Sequence, residues 1–127
     1  MTNDEFWVNE FGNKDSGKDF AGQTVRRDHY IGNFKQGSNL PSTAWDREDI
    51  EPLNPNGSEK HKRQHNDISN LQVVNVATNR AKENKTFFTI DGVLYQVVKN
   101  TPKRTRGKRL APYSYKGKKY CIVILDK

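Results

Sequence analysis

The run TFFTI-DG-VLYQVV, residues 86–98, constrains the fold most, because two strand-forming segments meet there at Asp91-Gly92. Asp-Gly tolerates the positive φ that a two-residue hairpin turn demands, and the flanking Phe, Ile, Val and Tyr favour pleated backbone. An antiparallel hairpin is expected here, with KYCIVIL, residues 119–125, as a third strand. Upstream, LQVV from Leu71 to Val74 reads as another strand, and Asn75 as the cap of a helix running to about Asn84. Near the start, Phe6, Trp7, Val8 and Phe11 recur at partly helical spacing behind Asn3 or Asp4, either of which can cap. Gly12 and Asn13 stop that helix, and the glycines at 12, 17, 22, 32 and 37 keep elements in this part short. Residues 19–32, DFAGQTVRRDHYIG, therefore read as short strands or turns, and residues 54–64, NPNGSEKHKRQ, as an exposed loop.

A chain of 127 residues is expected to form one domain. Its parts are an N-terminal helix with turns (1–44), a central unit (45–84), and C-terminal strands carrying a basic loop at 99–119 (85–127). Only 32% of the residues are hydrophobic and the mean hydropathy is −1.01, so the core is modest and a structural metal or a bound partner could add to its stability. The densest apolar run, residues 121–125, is too short for a bilayer, which needs ~20 residues. The acidic opening MTNDEFW lacks a basic and apolar leader, and a single cysteine forms no internal disulfide. Both fit a cytoplasmic protein, with Cys121 expected as an inert buried thiol.

Charge is unevenly placed. Residues 1–58 hold six basic and ten acidic side chains, and residues 59–127 hold sixteen and five. Residues 99–119 carry nine basic groups and no acidic one, interleaved with Tyr113 and Tyr115. Lys103, Arg104, Arg106, Lys108, Arg109, Lys116, Lys118 and Lys119 are the candidates for neutralising phosphates, and the rings could stack on unpaired bases. A solvated loop is the plainer reading of the same run.

The stretch WDREDIEPLNPNG, followed after a charged insertion by HNDISNLQVVNVATNRAK, resembles the centre of small bacterial and phage HNH endonucleases. Further matches in the same order are FW at Phe6-Trp7, FG at Phe11-Gly12, DFAGQ at Asp19 to Gln23 and HY at His29-Tyr30, so the likeness spans roughly residues 6 to 99. The resemblance implies an α+β fold with a ββα-metal core, an N-terminal helix and a C-terminal antiparallel sheet. It implies Glu48 as first metal ligand and Asn79 as helix ligand. Asp49 stands where the family has its catalytic histidine. A carboxylate of pKa ~3.9 is a poorer general base near neutrality than imidazole at ~6.5, and beside Glu48 and a metal Asp49 would more readily be another ligand. His61 and His65, four apart in a polar loop, are either substitute ligands, with His65 also a substitute base, or simply exposed. Asn70 is implied to hold the turn; Trp45 reads as a core or strand-end anchor, and Arg80 and Lys82 could reach phosphate from the helix or simply form an exposed helical face.

Three functions remain open from these residues. One is an HNH-derived, cleavage-impaired protein that binds nucleic acid, DNA foremost, or a nucleic-acid-loaded nuclease, as a phage or mobile-element inhibitor of the anti-CRISPR type would. The second is a divalent-metal-dependent endonuclease using Mg or Mn. The third is a structural domain holding Zn.

Overall fold

In the computed structural model, which describes residues 1–52, 67–112 and 116–125, the chain is mixed α and β. The expected loop at 54–64, His61 and His65, and Tyr113 and Tyr115 lie outside the described residues. Helix α1 is Asn3–Phe11, and its cap is Thr2, one residue before the expected pair. Thr2 and Glu5 form a reciprocal capping box, each side chain accepting the other's backbone N–H at 3.1 Å. Two short strands follow, β1 (Ser16–Lys18) and β2 (Thr24–Arg26), paired antiparallel.

Strands β3 (Trp45–Asp49) and β4 (Leu71–Asn75) form a second antiparallel pair, and β4 passes directly into α2 (Val76–Lys82). Asn75 caps this helix by accepting from Ala77 N at 2.9 Å, as its position in the sequence suggests. The helix ends earlier than expected because Glu83 turns to φ +52 and donates its N–H back to the Asn79 carbonyl.

The third sheet is four-stranded and antiparallel, with Phe87–Ile90 (β5) beside Val93–Lys99 (β6), then Tyr120–Leu125 (β8) and Arg109–Leu110 (β7) at the far edge. Strands β5 and β6 are the expected hairpin, with Asp91 at φ +50 and Gly92 at φ +79 as a type I′ turn requires. Strand β8 pairs along β6. The basic run is not one continuous loop. Pro102–Thr105 forms a helical turn, α3, and Arg109–Leu110 forms an edge strand, β7, on β8.

The β3–β4 pair separates two apolar clusters. Leu71, Val73 and Trp45 meet Phe6 and Trp7 of α1 on one side. Val74 and Ile50 meet Phe20, Phe88, Tyr95 and Ile122 on the other. Cys121 is buried, and burial pushes its thiol pKa up.

Candidate functional site

The register of β3 on β4 decides where the candidate ligands point. Trp45 pairs with Asn75, Glu48 with Gln72 and Asp49 with Leu71. Successive side chains of a strand face opposite sides. Trp45, Arg47 and Asp49 therefore belong to the α1 side, where the Arg47 guanidinium stands 5.6 Å over the Phe6 ring. Glu48 and Ile50 belong to the α2 side. The two carboxylates expected on one metal are thus on opposite faces of the hairpin.

Glu48 is held by protein groups. Lys82, the last residue of α2, brings its ammonium 2.9 Å from Glu48 Oε1, with side-chain exposures of 0% and 9%. The contact is an ion pair rather than a well-aligned hydrogen bond. Gln72 Nε2 donates to the other oxygen at 3.2 Å. The ammonium also reaches the Asp49 carbonyl at 3.4 Å and lies 5.7 Å from the Phe88 ring centre. Burial pushes the Glu48 carboxyl up to about 7, against the pull of Lys82 and Gln72, and the neighbouring Asp49 charge adds to the rise. Lys82 was expected on phosphate; it cannot serve there, because its side chain is fully enclosed and already paired.

A divalent cation on Glu48 and Asn79 does not fit this arrangement. The first ligand already carries a positive partner, and adding a cation beside an enclosed ammonium would be strongly repulsive. Asn79 is half-buried on α2, one turn before Lys82. Among the described residues no group of three or more His, Cys, Asp or Glu side chains is placed to hold a metal.

The residues expected to be architectural are built as such. Asn70 closes the loop end with its amide, accepting from Glu51 N at 2.9 Å and donating to Glu51 O at 3.1 Å. Trp45 is 1% exposed, packed on Trp7 and Tyr30, and its indole N–H points to the Arg27 carbonyl at 3.4 Å. His29 lies against Thr43, its Nδ1 2.6 Å from the hydroxyl. Asp19 was noted only as part of a motif, yet its buried carboxylate accepts from Ala21 N, Gln23 N and Asn75 N at 2.9 to 3.0 Å. Asn75 in turn donates to the Thr24 and Ser42 carbonyls. Together they lock the β1–β2 turn to the start of α2. The short-range signal was an Asp two and four residues before the N–H groups it caps.

The basic candidates divide by exposure. Lys103, Arg104, Arg106, Lys108, Arg109 and Lys116 are exposed, as is Arg80 on α2. Lys119 is exposed but held by Asp67 at 2.6 Å. Lys118 is a second correction: its ammonium is 2.8 Å from Glu10, with side-chain exposures of 5% and 9%, and it also donates to the Ile68 carbonyl and covers the Phe6 ring. It ties the C-terminal segment to α1 and is not available to a phosphate. No protein family, curated protein or solved structure matches the chain.

Proposed function

We propose that this chain is a nucleic-acid-binding protein built on an HNH-like hairpin and helix that does not cleave. The observation that carries the reading is the surface made by α3, β7 and the turn between them. Lys103, Arg104, Arg106, Lys108 and Arg109 are all exposed there and make no ion pair among the described residues. Such groups are free to displace counterions from a phosphate backbone. A nuclease already loaded with its nucleic acid offers the same phosphates, so an inhibitor of the anti-CRISPR type is one form this binding would take. Two features of the centre support the absence of cleavage: Glu48 is paired with Lys82, and position 49 faces the other side of the hairpin.

Two assays on the same preparations test both halves. A labelled DNA duplex should bind the native protein, and Gln at Lys103, Arg104, Arg106 and Lys108 together should weaken binding at least ~10-fold with the folding transition unmoved. Supercoiled plasmid with Mg²⁺ or Mn²⁺ should stay intact with the native protein and equally with Asp49→His. Undiminished binding by the glutamine variant would reject the basic face. Nicking by native protein that Glu48→Ala or Asn79→Ala abolishes would restore the endonuclease.

A further inference from the structure

Burying a lysine ammonium and a carboxylate together costs several kcal/mol per ion in desolvation, which only good geometry repays. Lys82 and Glu48 approach to 2.9 Å, and the Gln72 amide and the Asp49 carbonyl give the two ions further polar contacts. Lys82 is the last residue of α2, and its ammonium reaches from there to strands β3 and β5. It meets the Glu48 carboxylate and the Asp49 carbonyl, and the Phe88 ring presents its negative face. Glu51, half-buried nearby, lies within the same field.

Two further buried oxygens lie on β4, the strand paired with that of Glu48, and on α2. Gln72 Oε1 and Thr78 Oγ1 have no hydrogen-bond partner among the described residues. Gln72 is the cross-strand neighbour of Glu48 and donates to it through the other end of its amide. Thr78 stands one helical turn before Lys82, on the same face of α2. Carboxylate, carbonyl, amide and hydroxyl oxygens are the donor set of a hard divalent cation such as Mg²⁺ or Mn²⁺. Here a side chain supplies the charge instead.

We propose that the Lys82 ammonium is the resident cation of the hairpin and helix: it closes the oxygen-lined position at Glu48 to divalent metal, and the fold is complete without one. The corollary is that removing the ammonium, and nothing else, opens a metal site whose ligand is Glu48. This assignment rests on the geometry of the pair alone. Failure of nucleic-acid binding leaves it untouched, and metal binding by the native protein would overturn it without bearing on the basic face.

The test is thermal unfolding in EDTA and in Mn²⁺, with Mn²⁺ binding followed by electron paramagnetic resonance, for native protein, Lys82→Ala and Lys82→Ala/Glu48→Gln. The native protein should show the same Tm in both media and no Glu48-dependent Mn²⁺ site. Lys82→Ala should melt lower in EDTA, regain about 5 °C in saturating Mn²⁺, and lose that gain when Glu48→Gln is added. Should Lys82→Ala be unfolded in EDTA, recovery of its far-ultraviolet circular dichroism by Mn²⁺ supports the assignment, and no recovery overturns it. A native protein that binds one Mn²⁺ through Glu48, or a folded Lys82→Ala indifferent to Mn²⁺, overturns it as well.

Discussion

At the scale of single residues, carboxylates fix this protein in two different ways, one buried and one near the surface. Asp19 works through backbone amides. Its oxygens satisfy three N–H groups, one of them on Asn75, which is itself 4% exposed. Asp19→Ala leaves those donors unpaired and should cost about 3 kcal/mol in urea unfolding, while Asp19→Asn, which keeps one acceptor oxygen, should cost roughly half as much. A change below about 0.5 kcal/mol for the alanine variant would mean the bracket is not holding β1–β2 to α2. Asp67 works through charge. Lys119 and Ser69 hold its carboxyl down at about 2, from an ordinary 3.8. A depressed folded-state pKa stabilises above the unfolded value and is lost as pH falls, so the effect here disappears between about pH 4 and pH 2. Because Lys119 is mostly solvated, the amount is about 1 kcal/mol or less. Urea midpoints measured from pH 5 to pH 2 should fall more for the native protein than for Asp67→Asn, and parallel curves would remove the pair from the ledger of stabilising contacts.

Elements were legible in the sequence where their cause is local. The β5–β6 turn is the clearest, since Asp91 and Gly92 both take positive φ and nothing but backbone preference selects them. A Cβ on Gly92 would meet no atom within 4 Å, so Gly92→Ala measures backbone strain alone. It should cost about 1 kcal/mol, read as a lower urea midpoint with unchanged m-value, and no loss would show that the turn tolerates a different type. Helix α1 was legible too, although its Thr2–Glu5 capping box, a pattern written in the sequence, places the cap one residue earlier than Asn3. What escaped has a non-local cause. Two residues of β7 carry no periodicity of their own, and they are a strand only because β8 offers Ile124 and Val123 as partners. Lys82 and Lys118 read as surface charge, since each lies in a polar run. Their burial is decided by Glu48 and Glu10, which belong to distant elements. For the same reason the candidate ligands could be named in order along the chain while their divergence across the hairpin could not: it depends on the β3–β4 register.

Across the whole molecule, the uneven charge resolves into an internal and an external part. Acidic groups of the first half neutralise basic groups of the second inside the fold, Glu48 with Lys82 and Glu10 with Lys118. Five of the basic groups left without ionic partners among the described residues, Lys103, Arg104, Arg106, Lys108 and Arg109, lie together on α3, β7 and the turn between them. This division predicts opposite phenotypes for lysines that look alike in the sequence. Lys118→Gln strips Glu10 of its partner in a nearly enclosed site and should lower stability by about 3 kcal/mol while leaving the exposed basic surface of α3 and β7 in place. Gln at Lys103, Arg104 or Arg106 should leave stability within about 0.5 kcal/mol and act on binding instead. If the five free groups each meet a phosphate, log K against log salt should have a slope near −4.5, so affinity for duplex DNA should drop by about 10² to 10³ between ~50 and ~200 mM salt. Each glutamine should flatten that slope by about 0.9, whereas Lys118→Gln, measured where it remains folded, should leave it unchanged. A slope near zero in the native protein would mean that its positive charge serves solubility. A Lys118→Gln slope reduced as much as that of Lys103→Gln would mean that the Glu10 pair opens when nucleic acid binds, and that the internal and external charges are one system.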